Sequence, residues 1–212
     1  MKKGFTLAEI LITVSIIGVI GALTTPILLK KYEKQRWIDG YKTTYSILNQ
    51  ATKIIATENG GSLDGAWNPD SYEEMYFQYK KHIKHIKHLE NEGMAGITFA
   101  SEYKTLDNEA FSLDFNYSLV LSSGASVTFH TVSNSGSVIS VIFIDINGKK
   151  EPNQLGKDFF MFNVDYAHAM LMPLPEDLTE NEFAEYCSDD LTSGMGTSCG
   201  VRILRGDYGK AY

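Results

Sequence analysis

From Ile10 to Leu29 the chain runs for twenty residues without a formal charge. At about 1.5 Å rise per residue, such a run spans the roughly 30 Å hydrocarbon core of a bilayer. Lys30, Lys31, Lys34 and Arg36 then mark an exit into water, and the pattern changes. Ile38, Tyr41, Tyr45, Leu48 and Ile55 recur at three, four, three and seven residues, which is the helical period. Gly60-Gly61 ends it. The pattern predicts one helix from Phe5 to Glu58, its first part (5–29) apolar all round and its second (30–58) packed on a head at 59–212. Pro26 lies inside the apolar part, preceded by Gly18 and Gly21. Proline removes a backbone donor and crowds the preceding turn, so a kink is expected there.

The head reads first as a loop from Gly60 to Pro69. A helix follows over Ser71 to Asn91, with its N-cap at Asp70 or Ser71 and with Glu73 and Glu74 in the first turn. His82, His85 and His88 ride on it beside Lys81, Lys84 and Lys87, parallel to an Ile83, Ile86, Leu89 stripe. Helical chelators are better spaced by four, so this series fits an amphipathic surface helix with a partly basic face better than a metal site. Histidine also allows a pH-sensitive or anionic contact there. Beyond Gly93 to Gly96 the period becomes two. Phe111, Leu113, Phe115, Tyr117, Leu119 and Leu121 alternate, Ser122-Ser123-Gly124 turns, and Ala125–Val132 and Ser137–Ile146 are further strands. Thr179 with Glu182 caps a short helix reaching Tyr186, and Val201–Leu204 reads as a last strand. The expected fold class is α+β: an antiparallel meander packed against the second half of the long helix.

Composition narrows the partners. The chain has 212 residues and a formal net charge of −7, with pI near 5.2, enough for one domain plus an anchor. Such an acidic balance weighs against nucleic-acid binding through clustered Lys and Arg, although a local basic patch remains compatible with it. The two cysteines, Cys187 and Cys199, read as a disulfide if the head is exported. No nucleophile elbow, phosphate loop or zinc motif occurs, so a non-enzymatic protein is expected.

Before the apolar run stand Lys2-Lys3-Gly4-Phe5-Thr6-Leu7-Ala8-Glu9. An ordinary secretory signal places its small-residue cleavage site after the apolar region; here Gly4 lies before it. A cut at Gly4 leaves the helix attached and creates a free amine on Phe5, four residues and one helical turn from Glu9. A carboxylate within a membrane segment is costly unless it is interfacial or paired, and it is usually functional. Gly4, Phe5, Thr6, Leu7 and Glu9, followed by the apolar run, closely resemble the class III signal of type IV prepilins and type II secretion pseudopilins. The resemblance implies cleavage between Gly4 and Phe5 by a prepilin peptidase, N-methylation of Phe5, and Glu9 as the assembly glutamate. Pilin anchors likewise carry a proline at the place of Pro26.

The segment from Ile144 to Phe160 also resembles a stretch of pilin-like heads: Asp145-x-Asn147-Gly148, then Pro152-Asn153, then Gly156-x-Asp158-x-Phe160, with Glu151 where a glycine is common. Asp145, Asn147 and Asp158 are either hydrogen-bonding groups of a structural turn or hard oxygen ligands for calcium; the spacing is not that of an EF-hand loop. No other cofactor is expected. The family implies a single-pass inner-membrane protein with an extracytoplasmic head. It is drawn into a periplasmic or surface filament by contacts with other pilin or pseudopilin subunits and an inner-membrane assembly platform. A monomeric membrane-anchored ligand-binding protein is the alternative.

Overall fold

A computed structural model describes residues 4, 6–90, 99–100, 102–112, 116–134, 137–173 and 179–209. It divides into two units, Met1–Arg36 and Trp37–Tyr212. In the first, helix α1 (Leu7–Glu58) begins and continues through Pro26. The side chains from Leu7 to Leu29 are exposed on every face apart from half-buried Gly21, and the apolar window is long enough to cross a membrane.

In the second unit the same helix buries one stripe: Tyr41, Thr44, Leu48, Ala51, Thr52, Ile55 and Ala56. It stops where predicted. Gly60 and Gly61 take positive φ, and Gly61 N–H donates to Ala56 O at 2.7 Å, as a left-handed helix end requires. Helix α2 (Tyr72–His82) is capped by Ser71, whose hydroxyl accepts from Glu74 N–H.

The expected helix over Ser71–Asn91 ends early. Ile83 is extended, and His85–Glu90 forms strand β1. Of the three apolar positions taken for a helical stripe, Ile83 and Leu89 are buried but Ile86 is 71% exposed. A bulge between His85 and Lys87 shifts the strand register there, so a spacing of three is compatible with a strand.

The long alternation from Phe111 also divides. Strands β2 (Tyr103–Lys104) and β3 (Ala110–Phe111) form a separate pair, while β4 is Tyr117–Leu121; Leu113 and Phe115, like Gly93 to Gly96, lie outside the described residues. Strands β5 (Ser126–Asn134), β6 (Ser137–Asp145), β7 (Phe159–Asp165) and β8 (Met170–Pro173) complete an antiparallel sheet of order β1-β4-β5-β6-β7-β8. The α+β expectation thus holds.

Both faces of the sheet centre are covered. Leu119, Val127, Phe129, Ile142, Ile144, Phe160 and Phe162 pack with α1 and α2. Val141, Phe143 and Phe159 face Phe99, Tyr103 and Leu155. Burial on both sides explains why β6 reads as an unbroken apolar run rather than an alternating one. Helix α3 (Glu180–Tyr186) has the expected Thr179–Glu182 capping box. The predicted strand at Val201–Leu204 is instead helix α4 (Cys199–Arg205), closed by Gly206 at φ 82°.

Candidate functional site

The start of α1 is built by a motif that the sequence reading passed over at this position. Thr6 is followed three residues later by Glu9, and the two form a reciprocal cap. The Thr6 N–H and hydroxyl each donate to Glu9 Oε2 at 2.8 Å, while Glu9 N–H donates to Thr6 Oγ1 at 3.3 Å. This satisfies helix-end donors that lipid cannot. The signal was legible as Thr-x-x-Glu before an apolar run. Gly4 is exposed, and a Cβ built on it meets nothing within 4 Å. Lys2, Lys3 and Phe5 lie outside the described residues, and so does the expected pairing of the Phe5 amine with Glu9.

Polar groups further along the apolar segment are silenced within the helix. Thr13, Ser15, Thr24 and Thr25 each donate a hydroxyl to the carbonyl four residues earlier, at 2.6 to 2.9 Å. Glu9 is therefore the single formal charge from Leu7 to Leu29.

In the head, Asp145, Asn147 and Asp158 do come together. Asp158 Oδ1 accepts from Gln154 N–H at 2.8 Å, and its Oδ2 accepts from Asn153 N–H at 2.9 Å and Asn147 Nδ2 at 3.1 Å. Asp145 Oδ1 accepts from Asn147 N–H at 3.1 Å and its Oδ2 from the Tyr103 hydroxyl at 2.5 Å. Gln154 then donates to Thr105 O at 2.7 Å, tying the turn to the β2 side. All four carboxylate oxygens are engaged with donors, which is what a structural turn needs. The Oδ1 atoms of Asn147 and Asn153 are buried and without a partner among the described residues. Burial pushes the Asp145 carboxyl up to about 8, with the neighbouring Asp158 adding to the effect. Burial likewise pushes Asp158 up to about 6 against its amide donors. Among the described residues, no group of three or more His, Cys, Asp or Glu is placed to share a metal ion.

The histidine series is dispersed by the change from helix to strand. His82 Nε2 lies 3.2 Å from a Glu58 carboxylate oxygen, whereas the His85 and His88 rings meet edge to face at 5.5 Å. Cys187 and Cys199 form a disulfide between α3 and α4. Tyr41 of α1 approaches Gly200 so closely that an added Cβ would lie 2.5 Å from the phenol oxygen.

Comparison with known proteins bears on the N-terminus alone. No curated protein and no solved structure matches the chain. Residues 1–25 match the family model of the prokaryotic N-terminal methylation motif. The match covers Gly4, Thr6, Glu9 and the start of the exposed apolar segment, and it supports a pilin-like substrate of prepilin peptidase anchored by one apolar helix. Over its first 25 residues the chain therefore carries a class III, prepilin-type signal.

Proposed function

We propose that this chain is a non-enzymatic structural subunit of a type IV pilus or type II secretion pseudopilus. The observation that carries the reading is that the methylation motif coincides with a helical segment, Leu7 to Leu29, that is exposed on every face and bears one carboxylate, Glu9. A surface that is apolar all round requires either lipid or the same surface of other subunits, and a filament core supplies the second.

On this reading, the head is translocated while the N-terminus stays cytoplasmic. Prepilin peptidase cuts after Gly4 and methylates Phe5. The assembly platform then moves the helix from lipid into the filament, leaving the head outside the inner membrane. Thr6 holds Glu9 before and during this transfer, one residue from the new amine. Pairing with the amine of a neighbouring subunit then selects a single axial register, because a displaced neighbour leaves an unpaired carboxylate in apolar surroundings. Pro26 supplies a helix position with no backbone donor, where α1 can bend during transfer. Asp145, Asn147 and Asp158 hold the head's turn.

Two measurements test this. Intact mass of the mature protein should show a chain beginning at Phe5 and carrying one methyl group; a chain retaining Met1 in cells with active prepilin peptidase overturns the reading. Glu9→Leu should remain processed yet lose filament incorporation on the order of a hundredfold, because the neighbour's Phe5 amine is then left unpaired in apolar surroundings at a cost of roughly 2.5–3.5 kcal/mol. Unchanged incorporation would overturn the register role of Glu9; a processed wild-type chain found only in the membrane pool would instead support a monomeric anchored binding protein.

A further inference from the structure

The head contains two strongly charged stretches of opposite sign. Residues 80–88 hold four Lys and three His with no carboxylate, and residues 176–190 hold seven carboxylates with no Lys or Arg. In a protein of net charge −7, the first is the exception.

The basic stretch runs from the end of α2 into β1, an edge of the six-stranded sheet. Lys80 is paired internally with Glu90, and His82 Nε2 lies 3.2 Å from a Glu58 carboxylate oxygen. Lys84 and Lys87 are exposed and have no carboxylate partner among the described residues. Between them in sequence, Ile86 is 71% exposed and adds apolar surface to this strand. Of the acidic stretch, residues 180–190 lie on α3 and the turn after it. Asn181, Glu182 and Glu185 are exposed, and Glu185 has no cation partner among the described residues. Asp189 is paired with Arg202. Arg205 of α4 lies over the Phe183 ring of α3 at 4.3 Å and offsets part of the negative charge there.

The two patches cannot meet within one molecule. Helix α3 is joined by the disulfide to α4, which packs on β7. Strand β7 is four positions from β1 in the sheet, about 19 Å at roughly 4.8 Å per strand.

We propose that the basic β1 edge of one head docks on the acidic α3 face of a second copy. Different surfaces meeting head to tail make a heterologous contact, which extends into an open helical array when its rotation does not close. This rests on the filament reading and adds to it a contact in the head that steers neighbours together by charge. Lysines on an edge strand also discourage strand addition by other chains. That simpler role is indifferent to the sign of the charge, and docking is not.

Full-length variants are expressed in cells that make the native filament, and the sheared filament fraction is compared with the processed membrane pool. Lys84→Glu with Lys87→Glu in one chain, and Asn181→Lys with Glu185→Lys in another, should each lower incorporation at least about tenfold, since like charges then face each other. Co-expression should restore filaments containing both variants, because the two reversed chains alternate with complementary faces. All four positions are exposed and spare the Thr179–Glu182 cap. Should a reversal alter the melting transition, Lys84→Gln with Lys87→Gln and, separately, Glu185→Gln replace it, with a fall of about threefold expected from losing attraction without adding repulsion. Wild-type incorporation by any of these charge variants, or no recovery on co-expression of the reversed pair, overturns docking. If Glu9→Leu is absent from filaments while the lysine reversal is present, docking alone fails. If the wild-type chain itself is absent from the filament fraction, docking and the filament reading fall together.

Discussion

The two halves of α1 share one backbone conformation and solve opposite problems. From Leu7 to Leu29 apolar side chains point in every direction and are exposed in the isolated chain. From Tyr41 to Ala56 burial is confined to one stripe, with Lys42, Thr43, Ser46 and Gln50 exposed around it. The stripe obtains its partners from its own chain: Tyr41 stacks edge-on against Phe160 at 4.7 Å and tilts against Phe162 at 5.2 Å. The first half has no such partners among the described residues, and its hydroxyls turn inward on the helix instead. Periodicity therefore tells where a helix finds its complement. A stripe points to the same fold, and uniform apolarity points to lipid or other subunits.

The sharpest way to break this contrast is to truncate one residue from each half. Tyr41→Ala should lower head stability by about 3–5 kcal/mol, as expected for emptying a fully buried aromatic site. Ile17→Ala, by contrast, should leave the head's melting transition in detergent unchanged while weakening retention in membranes, at about 0.8 kcal/mol per methylene removed from lipid. Equal effects on the melt would show that the first half also depends on the head.

The next effect is confined to the head and is set by pH. Asp145 and Asp158 have raised carboxyl values in the fold, so between the unfolded value near 4 and these values the folded state binds more protons than the unfolded one. Their contribution is complete below about pH 4 and is lost as pH rises through about 6 and then about 8. Chemical denaturation should show stability falling by about 4 kcal/mol from pH 5 to pH 7. Asp145→Asn, which keeps an acceptor for Tyr103, should flatten that slope; an unchanged slope would remove Asp145 as its source.

The smallest effect compares two copies of one motif. Thr179→Ala removes the cap of α3 and should cost about 1 kcal/mol in the head melt while filaments persist. Thr6→Ala loosens the carboxylate that we assign to register, so its readout is filament yield rather than the melt.

Sequence legibility followed the same division. Local devices were readable: the Gly60-Gly61 stop, the Ser71 cap, the Thr179–Glu182 box and the turn at Ser122-Ser123-Gly124 all depend on neighbours in the chain. Where tertiary pairing decided, the reading failed. Residues 83–89 mimic a helical stripe, but pairing with β4 makes them an edge strand with a bulge. Val201–Leu204 looks like a strand by composition. Helix wins because the disulfide fixes its first residue, Gly200 admits Tyr41, and Gly206 closes it. Gly206 after Arg202 and Arg205 was the signal available for that ending. At the N-terminal signal Gly4 and Glu9 stand out by chemistry, whereas Thr6, an ordinary polar residue, shows its role only in the capping geometry.

The disulfide carries a further consequence once the compartments are considered. Cys187 and Cys199 close a short loop, a link that contributes about 3 kcal/mol by the loop-entropy argument. It also holds the acidic helix to the rest of the head. While those thiols are reduced, that helix is joined to α4 only through the intervening main chain, and oxidation belongs to compartments beyond the cytoplasm. On the filament reading, the bond closes only once the head has crossed the membrane, so the α3–α4 corner reaches its full stability on the side where filaments form.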